Sequence, residues 1–267
     1  MDASQIGQVT RSAADVYEEF FVPALFAPWP APVSDAAGIA PGQHVLDVAC
    51  GTGVLAREAA RRAQPGGTVV GLDRNEGMLA VAGRAAPEIE WRLGQAEALP
   101  FTDGRFDAVV SQFGLMFFED RVLALGEMWR VLKPRGRLAV AVWDSLERTP
   151  GYAAMTALLE RLFGERIAGA LRAPYVLGDR QTLAALAAQA GIPAQIATYH
   201  GVACFPSIEA WVHTDVKGWT LADLIDETQY RQLLRAAQAE LGHFVQANGN
   251  VRFDAPAHIL SARKSRA

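Results

Sequence analysis

Residues Val45–Ala60 read VLDVACGTGVLAREAA, and the fold turns on how that stretch is read. An apolar run ends on small residues, bends through glycines and opens into an alanine-rich stretch of helical character. Gly51, Gly53 and Ala56 fit the spacing G-x-G-x-x-A, and an acid, Asp73, ends the next apolar run, VVGLD, about twenty residues on. Strand, glycine turn and helix in this order place backbone amides at a helix N-terminus beside an acid on the neighbouring strand, an arrangement suited to a nucleotide-like ligand. Gly51 and Gly53 let the backbone turn sharply and approach that ligand without a Cβ in the way.

Asp47 narrows the choice of ligand. It sits at the end of the first strand, just ahead of the glycines. A dinucleotide puts a pyrophosphate on such a turn, and a carboxylate aimed at the turn repels it. S-adenosylmethionine (SAM) carries an ammonium and a sulfonium and no phosphate, so the same carboxylate attracts it. Asp73 can accept both hydroxyls of a ribose, a contact that serves either ligand.

Working outward, strand and helix signals alternate over residues 44–144. HVLDVA, GGTVVGLD, IEWRLG, RFDAVVSQFG and RLAVAVWD read as strands, apolar on both faces as in a parallel sheet covered by helices. VLAREAARRA, EGMLAVAGRAA with Asn75 as N-cap, and DRVLALGEMWRVL read as helices between them, the last stopped by KPRG. Repeated βα units of this size imply an α/β, doubly wound, Rossmann-like sheet. The first forty residues differ: AADVYEEFFVPALF is expected to be helical until Pro23, and APWPAPVSD not to continue a helix. Beyond Trp143 the alternation weakens. GYAAMTALLERLFG and RQTLAALAAQAGI read as helices, AQIATYHGVACF as one strand and NVRFDAPAHILSAR as a last strand, with Pro256 at an edge or bulge. The expected division is an N-terminal arm over residues 1–40, a ligand-binding core over 41–205, a helical insert acting as a lid over 206–248, and a final strand and tail over 249–267.

Bulk properties restrict the function. The chain has 267 residues, is 51% hydrophobic and 20% charged, and carries a net charge of −4. No basic field suggests a nucleic-acid partner. No uninterrupted apolar run is long enough to span a membrane, and MDASQIGQV does not read as a signal peptide, so a cytoplasmic location is expected. The two cysteines, Cys50 and Cys204, form neither a disulfide framework nor a metal site, and no metal is expected.

Four stretches in order, VLDVACGTG, VVGLDRNEGML, GQAEALPFTDGRFDAVVSQFGLMFF and ALGEMWRVLKPRGRLAVAVW, resemble the motifs of class I SAM-dependent methyltransferases. They are most similar to the branch that contains the ubiquinone/menaquinone C-methyltransferases, and cover about residues 44–144. The resemblance implies a seven-stranded sheet with its last strand antiparallel and SAM as cofactor. It implies that Asp47, Ala49, Gly51 and Gly53 line the methionine end and that Asp73 holds the ribose. Arg74 and Met78 fall near adenine or ribose, and Gln95, Ala96 and Glu97 form the adenine-side loop. Ser111, Gln112 and Phe113 fall beside the sulfonium. Tyr17, on the arm, is expected to lie over the cofactor. Gln95 stands where many relatives have Asp, and FGLMFF where the quinone branch reads FGLRN.

Because SAM is already activated, the protein's main task is to align acceptor, methyl carbon and sulfur and to exclude water. A base is required only if the acceptor must lose a proton during transfer. His213, on the expected helix SIEAWVHTDVKGW within the insert, is the candidate. Aromatic residues gather in three places: Phe20, Phe21, Phe26 and Trp29; Phe113, Phe117 and Phe118; and Trp211 and Trp219. Folded over the strand ends they would wall an apolar pocket. The expected function is methyl transfer from SAM to a small apolar or aromatic acceptor. An NAD-dependent oxidoreductase using the same turn, and a SAM-binding module without catalysis, are the alternatives.

Overall fold

The computed structural model describes residues 11–218 and 220–266; the expectations about the first nine residues and about Trp219 fall outside them. In chain order the elements are α1 (Arg11–Val16), a wide π-type helical turn over Tyr17–Phe26, α2 (Pro30–Ala36), β1 (His44–Val48), α3 (Val54–Ala63), β2 (Thr68–Asp73), α4 (Glu76–Ala85), β3 (Glu90–Leu93), β4 (Phe106–Gln112), α5 (Arg121–Val131) and β5 (Leu132–Trp143). There follow α6 (Pro150–Phe163), α7 (Glu165–Arg172), α8 (Arg180–Gln189), β6 (Gln195–Tyr199), β7 (Val202–Phe205), α9 (Ile208–Lys217), α10 (Glu227–Glu240), β8 (Val251–Asp254) and β9 (Ala257–Arg263).

Seven strands form one sheet in the order β3-β2-β1-β4-β5-β9-β6. The strands from β3 to β5 pair in parallel, and β9 runs antiparallel to both of its neighbours. This is the Rossmann-like α/β sheet expected, with its last strand reversed. Its centre is dry: from Leu138 to Trp143 every residue of β5 is buried, as a strand covered on both faces requires. The order reverses between β1 and β4, where open α/β sheets carry their ligands.

Local signals explain the helix starts. Asn75 caps α4 by accepting from the Met78 amide at 2.9 Å, and Asp120 caps α5 by accepting from Leu123 at the same distance. Asp226 forms a reciprocal capping box with Gln229 at the start of α10.

Two expectations about the flanks are corrected. The arm helix does not stop at Pro23; it runs to Phe26 in a π-type register, with the Ala27 amide donating to the Val22 carbonyl at 2.7 Å. The wider turn absorbs a residue that has no amide to donate. APWPAPVSD does not continue that helix, as expected; it starts a new one, α2, because Pro30 stands at the first helical position, where the missing N–H costs nothing. The two C-terminal stretches read as single strands each divide between two sheets. β6 and β9 join the large sheet, while β7 and β8 pair in a two-stranded ladder of their own. The crossing point is Gly201, whose carbonyl accepts from Ala255 at 2.8 Å. A Cβ there would lie 2.3 Å from the Trp29 ring and 2.4 Å from the Ala255 oxygen, so the chain bends where only glycine fits.

The arm is tied to the core beside the glycine turn. Arg57 donates to the Thr52 carbonyl at 2.7 Å and to Glu18 on the arm at 2.7 Å. Arg84 on α4 pairs with Asp15 on α1.

Candidate cofactor and acceptor pocket

A pocket opens at the carboxyl ends of β1, β2, β4 and β5, between the glycine turn and the arm. Its floor is the turn itself. Ala49, Gly51 and Gly53 all have positive φ, at 57°, 55° and 87°. The Cys50 amide donates to the Leu72 carbonyl and the Gly53 amide to that of Cys50. Gly53 is required for a second reason: a Cβ there would stand 2.4 Å from the Trp91 ring, and so would one on Gly71. Trp91, on β3, is thus a wedge beneath the turn, fixed by its indole N–H donating to the Ala86 carbonyl at 2.9 Å.

Two acids face this floor. Asp73 is 8% exposed and closes the turn: its Oδ2 accepts from the Gly51 amide and its Oδ1 from the Asn75 amide, each at 2.8 Å. The Arg74 amide pulls on the carboxylate too, which leaves room for about one further donor. Burial raises its pKa and the surrounding amides pull it back. Asp47 is 1% exposed, level with Gly71 on β2 and Val110 on β4, and neither of its oxygens has a hydrogen-bond partner among the described residues. Burial and the nearby charge of Asp73 push its pKa well above the ordinary carboxylate value, and the Ala56 amide pulls it part of the way back. A buried carboxylate short of donors is costly unless something supplies one. Asp47 lines the pocket, where a cationic ligand would satisfy it.

Opposite the acids the wall is aromatic. Phe113 and Trp143 stack at 3.7 Å with an interplanar angle of 5°, Phe26 leans on both at 5.7 and 5.9 Å, and Trp29 meets both edge-on from behind. Phe117 and Phe118 complete the wall. Tyr17 stacks on Phe26 at 5.0 Å. Burial and the charge of Asp73 hold its hydroxyl protonated far above neutral pH.

The structure therefore brings Tyr17, Asp47, Ala49, Gly51, Asp73, Arg74, Met78, Gln112 and Phe113 to one pocket. Gly53 lies under the turn. Ser111 is fully buried behind the pocket, on the opposite face of β4 from Gln112. Gln95, Ala96 and Glu97 form a turn beside it rather than its wall; Glu97 accepts from the Glu119 amide at 2.9 Å. His213 is not part of the wall either: its ring meets Phe20 edge-on at 5.5 Å, between α9 and the arm. Trp143 was not singled out in the sequence. Its signal was its place at the end of the fifth strand, one strand over from Phe113.

Comparison with known proteins agrees with this geometry. A model of the methyltransferase domain matches residues 46–140. The chain is 34% identical over 213 residues to the ubiquinone/menaquinone biosynthesis C-methyltransferase UbiE of Paraburkholderia phymatum, covering 72% of this chain and 86% of that one. This chain belongs to the class I SAM-dependent methyltransferases, in the ubiquinone/menaquinone branch. Their cofactor is SAM, and the unpartnered Asp47 beside the glycine turn suits its charge. The demethylmenaquinone methyltransferase of Renibacterium salmoninarum is 49% identical over 113 residues, 42% of this chain and 46% of that one. The chain spans about half the length of the first curated relatives it matches. Solved structures share the fold. The phosphoethanolamine N-methyltransferase 2 of Haemonchus contortus, in complex with SAM, has a TM-score of 0.61 at 19% identity, over 96% of this chain and 58% of that one. The [4+2]-cyclase SpnF has a TM-score of 0.60 at 17% identity, over 99% and 97%. A cyclase and a methyltransferase on one fold mean that the reaction must be read from the site.

Proposed function

We propose that the chain transfers a methyl group from SAM to a small aromatic acceptor held flat against Phe26, Phe113, Phe117, Phe118 and Trp143. The observation that carries this reading is the juxtaposition of two regions in one pocket: a buried, unpartnered carboxylate at the glycine turn, and a wall of rings facing it. Bound SAM supplies a methyl group already activated on sulfur. The residues of the chain then do three things. Asp47 draws the cationic end of the cofactor to the turn, and Asp73 accepts from its ribose. The rings position the acceptor and exclude water, and an electron-rich wall tolerates a sulfonium nearby. The arm, held by Arg57 and Glu18, closes over the site with Tyr17, and the helical insert packs behind the arm as a lid.

Relatives that methylate quinone precursors support an acceptor of the phenol or hydroquinone class. Phe117, which lines the pocket where the FGLRN reading has Asn, supports an acceptor less polar at that edge. The test is transfer of radiolabelled methyl from SAM to a panel of phenols, dihydroxynaphthalenes and primary amines. Label on the ring compounds supports the proposal. Label on the amines alone, or on none while SAM binds, overturns it.

A further inference from the structure

Gln112 is the last residue of β4, on the same face as Val110, and Val110 is level with Asp47. It therefore stands about 6–7 Å further along the strand direction than the acid that faces the turn. Its backbone is fixed there: it pairs with Ala141 on β5, and the next residue, Phe113, turns away at φ 57° with its amide donating to the Ala141 carbonyl at 2.9 Å. The side chain lines the pocket where the wall becomes aromatic. From β4 onward the other described residues of the wall are Phe113, Gly114, Phe117, Phe118 and Trp143. None of these offers a side-chain hydrogen-bond acceptor.

The carboxamide has one orientation. Its Nε2 donates to the backbone carbonyl of Phe26 at 3.4 Å. Turning the amide over would set two carbonyl oxygens against each other. The Phe26 carbonyl, held at the end of the arm's π-type turn, therefore takes up Nε2 and leaves Oε1 as the atom without a donor. That oxygen is buried and has no hydrogen-bond partner among the described residues. An oxygen in this state discriminates strongly: a ligand group that donates to it satisfies a buried acceptor, and one that cannot leaves it orphaned or repels it.

We propose that Gln112 reads the acceptor rather than the cofactor, and that its Oε1 selects aromatic acceptors bearing an O–H or N–H donor over the same ring bearing an ether or a carbonyl. The proposal rests on the methyltransferase reading and adds the group that sets its specificity. Gln112 is a specificity-determining residue, and the backbone of Phe26 is what sets its polarity. A phenolic hydroxyl suits the site; a quinone carbonyl at the same place meets lone pair with lone pair.

The experiment is a binding measurement on the full chain loaded with S-adenosylhomocysteine, using three probes with the same ring system: 2-naphthol, 2-methoxynaphthalene and 1,4-naphthoquinone. The wild type is expected to bind the naphthol about tenfold more tightly than the ether or the quinone, the scale of one hydrogen bond to a buried unpaired group. In Gln112→Leu the naphthol should fall to the level of the ether, with the ether's affinity held or improved. Gln112→Met, of the same length and without the amide, should lose the preference for the hydroxyl likewise. Affinity for S-adenosylhomocysteine, measured first, separates the two layers. If none of the proteins binds it, the methyltransferase reading fails. If the wild type binds it but does not distinguish the probes, or binds none of them, the assignment of Gln112 is wrong. It is equally wrong if the leucine variant binds S-adenosylhomocysteine normally and keeps the preference.

Discussion

Asp47 and Asp215 are both carboxylates removed from water, at 1% and 2% exposure, and they have opposite surroundings. Asp47 lines a pocket, has no donor in hydrogen-bond geometry among the described residues, and is pulled on only by the Ala56 amide at the head of α3. Asp215, on α9, is enclosed against α6, with its Oδ2 also unpartnered among the described residues. Tyr152 donates to its Oδ1 at 3.2 Å, and Trp211, one turn earlier on the helix, packs edge-on to Tyr152 and holds the pKa of the acid down together with it. Burial raises both acids well above the ordinary carboxylate value. A displaced pKa is therefore no guide to which acid meets a ligand; the space in front of it is. One acid is part of a site, and the other joins two helices through a phenol.

That contrast is open to attack at several points. The largest effect is expected from Asp47→Asn, which keeps shape and removes charge. Calorimetry should show SAM binding weakened by about 1.5–3 kcal/mol, the range for hydrogen bonds to charged groups. Gly53→Ala comes next. It forces a Cβ onto Trp91 and an alanine into positive φ. Urea unfolding should show a loss of about 1–3 kcal/mol, partly recovered by Trp91→Leu in the same chain. Absence of recovery would mean that the wedge under the turn is misassigned.

These two residues mark how far the sequence could be read. The spacing of Gly51 and Gly53, the acid ahead of them and Asp73 after them are local features, and they led to the sheet and to the cofactor. Asn75 was equally local, because a cap acts over three residues. What could not be read was set by contacts distant in sequence. Trp91 lies under Gly53 because β3 and β1 flank β2. Trp143 joins the wall because β5 lies beside β4. Asp215 on α9 has its partner Tyr152 sixty-three residues away. The split of the last strands at Gly201 required knowing that Trp29 passes beside it. His213 had the right helix for a base, but its orientation towards Phe20 depends on how the arm lies.

Stability of the unliganded protein should vary with pH in a way that Asp47, Asp73 and Asp215 dictate. All three have folded pKa values raised by burial, whereas in the unfolded chain they titrate near 4, as free aspartate does (~3.9). The folded state therefore holds protons more tightly. Their contribution is complete below the unfolded value and is lost as pH rises through the folded values. Urea midpoints without ligand should fall from pH 5 to pH 8, with a shallower slope in Asp47→Asn. A slope unchanged by that substitution would remove Asp47 as its source. A smaller effect is expected from Arg57→Ala, which frees the arm from the turn. The ion pair is three-quarters buried, so about 0.5–1 kcal/mol of SAM affinity is at stake, read by the same calorimetry. The smallest is Asp215→Asn, which should leave SAM affinity unchanged, because the acid faces rings and not the pocket. A clear loss there would place the contact between α9 and α6 against the ligand.

The most direct measurement is calorimetry of the unmodified chain against SAM and, separately, NAD⁺. An unpartnered carboxylate ahead of the glycine turn should accept the sulfonium compound in one-to-one stoichiometry and give no heat with the dinucleotide. Binding of NAD⁺ with no binding of SAM would contradict the reading of Asp47 on which the site was built.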